Sequence, residues 1–174
     1  MRPSATNRTK GLKGFLIDLD YAQQHDREQS TCITGTAPFM ALELLLEKHR
    51  CHTWRHDLES FFYVLIWLCT YDPYTTLDSW AHALWRRESA KSKCLDIMFL
   101  FPKVVAGFNS RFEPLKDLAR QLRDILFFEA SENHRNFIYT TPPGDDARTK
   151  TYNKVIQAFD DCIANHSQEE SQLW

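Results

Sequence analysis

The stretch RHDLESFFYVLIWLCT, Arg55 to Thr70, decides the fold. Asp57 is a good N-cap, and Glu59 suits the first turn of a helix. A helix is therefore predicted from about residue 57 to 70. From Phe61 to Cys69 every residue is apolar, so the one-sided periodicity of a surface helix is nearly absent. A helix apolar all round belongs in the middle of a domain. The run is also well below the ~20 residues that span a bilayer. The stretch predicts a central buried helix, and the rest of the chain must supply its surroundings.

Downstream, LDSWAHALWRRESAKSKCLDIMFLF (77–101) reads as one or two helices stopped by Pro102. FEPLKDLARQLRDILFFEA (112–130) places Leu115, Leu118, Leu122, Ile125 and Leu126 at steps of three and four, an amphipathic helix. NFIYTTPPGDDART (136–149) reads as a loop around Pro142, Pro143 and Gly144. YNKVIQAFDDCIANH (152–166) is a last amphipathic helix, and 167–174 a polar, frayed tail. Upstream, KHRCHTWRH (48–56) breaks a helical stretch that starts near Met40 in APFMALELLLE (37–47). Residues 21–35 are polar and aperiodic, a loop. GFLIDLDYA (Gly14–Ala22) holds a short strand, Phe15–Ile17, that ends in two carboxylates, Asp18 and Asp20. Residues 1–13 are a flexible lead-in. There is no internal repeat and no low-complexity tract. The fold class is mainly α, with a minimal β element near residues 14–18.

Composition narrows the function classes. The chain has 174 residues, enough for one domain, and 43% hydrophobic residues allow a real core. A formal net charge of -2 gives no reason to expect nucleic acid or an anionic membrane as partner. The opening residues MRPSATNRTKGLKG are polar and basic without an apolar core, so no secretory signal is expected. Five scattered cysteines without a C-x-x-C pattern fit reduced thiols and an intracellular setting, cytoplasmic or nuclear. The oligomeric state stays open.

Three segments stand in order: IDLDYA (17–22), TGTAPFMALELL (34–45) and RHDLESFFYVLIWLC (55–69). Together they resemble the second half of a protein kinase domain, and most of all the fungal-type protein kinases. Usual wording in that family is close to LIDFDLA, GTxPFMAxELL and HDLESFFYVLLW. The resemblance covers roughly residues 14 to 130 and extends toward the last helix. It implies a protein kinase-like large lobe, truncated, with a partial domain over 14–166. Within it the activation segment is 18–43, the central helix about 57–70, and later helices occupy 77–166.

The resemblance also implies roles. Asp18 matches the D-F-G Asp, which in the family ligates the Mg²⁺ that bridges nucleotide phosphates. Leu19 matches the inward-packing Phe, and Asp20 replaces Gly, a departure. Ser30, Thr31 and Thr34 fall in the activation segment as candidate phosphoacceptors, although plain loop hydroxyls are the better reading of each. Thr36 matches the threonine beside the catalytic Asp of kinases. Glu43 matches the Glu of A-P-E, with Leu42 in place of its Pro. That Glu makes a buried ion pair with a later Arg in the family; Arg120, Arg123 and Arg135 are the candidates. Asp57 matches the Asp that opens the central helix and supports the catalytic loop, a role compatible with N-capping.

A working kinase also needs a Gly-rich loop, a Lys–Glu pair, and a catalytic loop with a base Asp and a metal-binding Asn. Only 17 residues precede Asp18, with neither H-R-D nor a Gly-rich loop among them, and Asn7 lacks the apolar context of a catalytic-loop Asn. The expectation is a fragment whose family uses ATP and Mg²⁺ on protein Ser/Thr hydroxyls, but which does not transfer phosphate alone. Its partner is then a protein, as substrate or binding partner. Two other readings compete. One is a non-catalytic helical binding module or pseudokinase remnant. The other is a His–Asp metal phosphohydrolase built on His25, His49, His52, His56 and Asp57. Against the latter, Thr53 and Trp54 interrupt the helix that such spacing needs.

Overall fold

A computed structural model describes residues 36–47, 51–70, 93–130, 135–138 and 140–172. The expected strand at 15–17, the loop 21–35 and the first part of the 77–101 stretch lie outside the described residues.

The elements follow the hydrophobic pattern closely in the middle and less so at the boundaries. A 3₁₀ turn, Ala37–Phe39, leads into a short helix α1, Leu42–Leu46. The main helix α2 runs from Trp54 to Cys69. Residues 93–98 are helical. They are followed by α3, Phe101–Ala106, a 3₁₀ turn at Ser110–Phe112, and α4, Leu115–Phe127. Strands β1, Phe128–Ala130, and β2, Arg135–Phe137, pair antiparallel with Phe128 opposite Phe137. Helix α5 spans Asp145–Gln172, about 42 Å at 1.5 Å per residue.

Several expectations are corrected here. Helix α2 starts at Trp54, three residues before the predicted cap at Asp57, and Thr53 in extended backbone is the N-cap. The cause is His56, whose Nδ1 accepts the Thr53 N–H at 3.0 Å. A side chain reaching back from the third helical position is the second half of a capping box, usually Glu or Gln. Pro102 does not stop a helix that includes Phe101. It occupies the second position of α3, where its missing N–H has no partner to lose. The helix expected to 130 stops at Phe127 because the aromatic pair Phe127–Phe128 turns into strand pairing. The Phe127 ring stacks on Phe137 at 5.8 Å, and the Phe127 carbonyl accepts from Ile138 N. The loop expected to 149 ends at Gly144, whose φ of 93° ends the turn. Asp145 and Asp146 then favour a helix start. The stretch 167–172, read as tail, continues α5.

The core lies between α1, α2, α3 and α4. Phe62, Tyr63, Ile66 and Cys69 line the inner face of α2, and Leu118, Ala119, Leu122 and Leu126 that of α4. Phe62 stacks on Phe101 at 6.0 Å and packs against Phe127 at 5.5 Å. Helix α2 is not buried all round, however. Phe61 is 64% and Leu68 55% exposed, on the face opposite Phe62 and Ile66. Among the described residues no helix is long and apolar enough to cross a membrane.

Candidate functional site

The centre of the molecule is polar. Five charged or polar residues, Glu43, Arg55, His56, Glu59 and Lys93, are buried where α1 meets α2. An ion so placed is tolerated only when paired and hydrogen-bonded. Glu59 meets that demand on both oxygens. Its Oε1 accepts the backbone N–H of Leu42 at 2.7 Å and the Tyr63 hydroxyl at 2.6 Å. Its Oε2 accepts from Arg55 Nη1 at 2.9 Å. Burial pushes the Glu59 carboxyl up, against the pull of Arg55, Tyr63 and the Leu42 N–H. Burial and Glu59 together push the Tyr63 hydroxyl well above its ordinary value, so it stays a donor.

Arg55 connects this carboxylate to the far side of the core. Its Nη2 donates to the carbonyls of Leu126 and Ile138, each at 2.7 Å. The last carbonyls of a helix have no partner within it, and Leu126 lies in the final turn of α4. One guanidinium thus holds α1 through Glu59, the end of α4, and the chain just after β2.

A second clasp sits beside the first. Since His56 Nδ1 accepts the Thr53 N–H, the ring proton is on Nε2, which donates to Glu43 Oε2 at 2.8 Å. The same oxygen accepts the Thr141 backbone N–H at 3.0 Å and its hydroxyl at 3.1 Å. With that hydroxyl proton used, the 2.7 Å contact between Thr141 Oγ1 and Thr53 Oγ1 has Thr53 as donor. Burial pushes the His56 imidazole below its ordinary value, against the pull of Glu43. Burial alone raises the Glu43 carboxyl, but the hydrogen bonds of His56 and Thr141 and the nearby His56 ring bring it below the usual range.

Lys93 closes the cluster. Its ammonium donates to the Met40 carbonyl at 2.7 Å and lies over the Tyr63 ring, 4.2 Å from the centroid. Burial lowers its pKa to about 7, against the pull of Glu59. Among the described residues no buried side-chain nitrogen or oxygen lacks a hydrogen-bond partner. The cluster ties α1, α2, the end of α4 and the chain after β2 to one another.

The sequence-predicted site residues scatter. Asp18, Ser30, Thr31 and Thr34 lie outside the described residues. Thr36 is exposed, and its carbonyl accepts from Phe39 N at 2.8 Å. Asp57 sits in the first turn of α2, half-exposed, 3.5 Å from His52. Glu43 is buried, and His56 and Thr141 are among the groups that meet it. Arg120 pairs with Asp117, and Arg123 donates to the carbonyls of Ile97 and Met98. The Arg135 side chain lies outside the described residues. The sequence does not single out Arg55, Lys93 or Thr141, and it marks Glu59 only as a first-turn acid, whereas Glu59 is the sixth residue of α2 and buried. One signal was present: Arg55, Glu59 and Tyr63 recur every four residues, a polar row along an apolar helix.

The metal phosphohydrolase arrangement fares poorly. Both His56 nitrogens are committed, to Thr53 and to Glu43. Among the described residues no three His, Cys, Asp or Glu side chains gather to hold a metal ion. His25 and His49 lie outside the described residues.

A comparison with known families bears on α1 and α2. Residues 3–69 match the model of the fungal protein kinase family. Over these residues, fewer than half of the 174, the chain is similar to that family. The match begins within the stretch read as a lead-in and ends at the last residue of α2. Helices α3, α4 and α5 lie beyond it. No curated protein and no solved structure matches the chain.

Proposed function

We propose that the described residues are the scaffold of a protein kinase-like large lobe, which anchors the end of an activation segment on a central helix. The observation that carries this reading is the bond from Glu59 Oε1 to the Leu42 backbone N–H. It fixes the first residue of α1, just after the PFMA stretch, to the middle of α2. Arg55 and the Glu43–His56–Thr141 clasp tie the same junction to α4 and to the loop before α5. A segment that positions a protein substrate needs such an immobile base.

On this reading the family activity is ATP-dependent transfer to protein Ser or Thr, with Asp18 as the Mg²⁺ ligand. Ser30, Thr31 and Thr34 are its candidate phosphosites, and Thr36 and Asp57 support the catalytic loop. The setting is intracellular, with a protein as partner and no nucleic acid or membrane. None of the described residues is matched to the nucleotide or its metal, and the 174 residues include no catalytic-loop base. The polypeptide of this sequence is therefore a scaffold without transfer activity of its own. Incubation with radiolabelled ATP, Mg²⁺ and a generic protein substrate tests this. The expected result is no incorporation, and turnover that disappears in Asp18→Ala overturns it. The non-catalytic binding reading has one observation in its favour, the exposed apolar face of α2 at Phe61 and Leu68. Thermal shift separates the two: stabilisation by Mg-ATP favours a retained nucleotide site, and no shift favours the binding module.

A further inference from the structure

Thr141 holds a distinctive place in both the sequence and the fold. Pro142 and Pro143 follow it, and Thr141–Pro142 is the one Ser-Pro or Thr-Pro step in the 174 residues. Its loop, 140–144, leads into α5 and ranges from half-buried to exposed. A proline biases the residue before it toward extended backbone, and an extended Thr-Pro step is what a proline-directed Ser/Thr kinase binds. The tether of this loop is narrow. Pro142 and Pro143 have no backbone N–H to donate. Thr141 supplies the contacts instead: its N–H and hydroxyl both donate to Glu43 Oε2, at 3.0 and 3.1 Å, and its Oγ1 accepts from Thr53 at 2.7 Å. Release of this one residue opens the loop and leaves the Glu59–Arg55 pair in place. Local openings of this kind expose a loop residue without unfolding the domain.

We propose that Thr141 is a phosphorylation site for a proline-directed Ser/Thr protein kinase, and that its phosphate holds the 140–144 loop off Glu43. Oγ1 attacks the γ-phosphorus of ATP. The Oγ1–P bond forms, the bond to the β–γ bridging oxygen breaks, ADP leaves, and the hydroxyl proton passes to the base of that kinase. The product carries about −1.5 to −2 charge at pH 7 on an oxygen that stood 3.1 Å from a carboxylate. Glu43 loses a donor and meets a like charge. A phosphate orders a loop only where cations receive it, and the cations of this junction are committed. Arg55 donates to Glu59, Leu126 and Ile138, and Arg148 pairs with Asp145. His56 gives its ring proton to Glu43 and accepts the Thr53 N–H on its other nitrogen. The modification therefore releases the loop before α5 from α1. This inference does not rest on the kinase-like reading of the chain, because the modifying enzyme is a separate protein. Ser30, Thr31 and Thr34 are different candidates, since none of them precedes a proline.

The test combines the full 174-residue chain with Mg-ATP and a purified mitogen-activated protein kinase as the proline-directed enzyme. Mass spectrometry of peptides locates the phosphate. The expected result is modification of Thr141 in the folded wild-type chain and its loss in Pro142→Ala, with circular dichroism showing that both are folded. Amide exchange followed by nuclear magnetic resonance reads the release. The Thr141 N–H should lose its protection on phosphorylation, whereas the Leu42 N–H, held by Glu59, should keep its own. Thr141 left unmodified after prolonged incubation overturns the site. So does equal modification of Pro142→Ala. A Thr141 amide that stays protected in the phosphorylated chain overturns the release.

Discussion

Glu59→Gln probes the central lock most directly. The substitution keeps size and shape, so its Oε1 can still accept from Leu42 N–H and Tyr63. The amide then faces Arg55 Nη1 with a donor, at a site where the two native atoms are 2.9 Å apart. Arg55 and Glu59 side chains are 2% and 0% exposed, so water cannot replace the lost acceptor. Breaking a buried pair on one side costs about 3–5 kcal/mol. Arg55 keeps two carbonyl acceptors, Leu126 and Ile138, which places the loss at the lower end, about 3 kcal/mol. Glu59→Ala also deprives Leu42 N–H and Tyr63 of their acceptor and should cost roughly 1–3 kcal/mol more. The assay is equilibrium urea unfolding of the full chain followed by far-ultraviolet circular dichroism. A domain has about 5–15 kcal/mol to lose, so the Gln variant stays measurable even if the Ala variant does not fold. A Gln variant within about 1 kcal/mol of wild type refutes the reasoning, because it means that water or another acceptor reaches Arg55.

Three further predictions follow from burial. His56 has a folded pKa below its ordinary 6.5, so its neutral form contributes stability above pH 6.5 that is lost as pH falls through the folded value. The melting temperature should drop on acidification below 6.5, and His56→Gln, which keeps an acceptor for Thr53 N–H, should flatten that part of the profile. Lys93, lowered to about 7 from 10.5, works in the same sense over a higher window. The unfolded chain holds that proton up to about pH 10 while the fold releases it, so stability should rise from pH 7 toward 10. Urea midpoints across that range should lose the rise in Lys93→Met. Finally, Phe62→Ala should cost about 3–5 kcal/mol, whereas its exposed neighbour Phe61→Ala should stay within about 0.5 kcal/mol. Equal effects in thermal melts would show that the outer face of α2 is covered in solution.

The sequence by itself determined the helical class, the place of the main helix, and the resemblance carried by GTAPFMALELL and HDLESFFYVLIW. Those features are local: apolar runs, steps of three and four, and short ordered motifs are all written in neighbouring residues. The inner face of α4 was legible for the same reason. Element ends were less so, because they depend on partners distant in sequence. Thr53 caps α2 only because His56 turns back to it, and α4 ends at Phe127 because Phe137 returns to stack there.

Only the tertiary structure decided which polar groups lie inside. Glu43 meets His56, 13 residues on, and Thr141, 98 residues on, and nothing in the neighbourhood of Glu43 in the sequence points to either. Lys93 reads as an ordinary surface residue until its amine is found on the Met40 carbonyl, 53 residues away. An apolar side chain is drawn inward by its own transfer free energy, which a sequence displays. A buried charge is tolerated only through the exact set of donors and acceptors around it, and that set exists only once the distant segments have met.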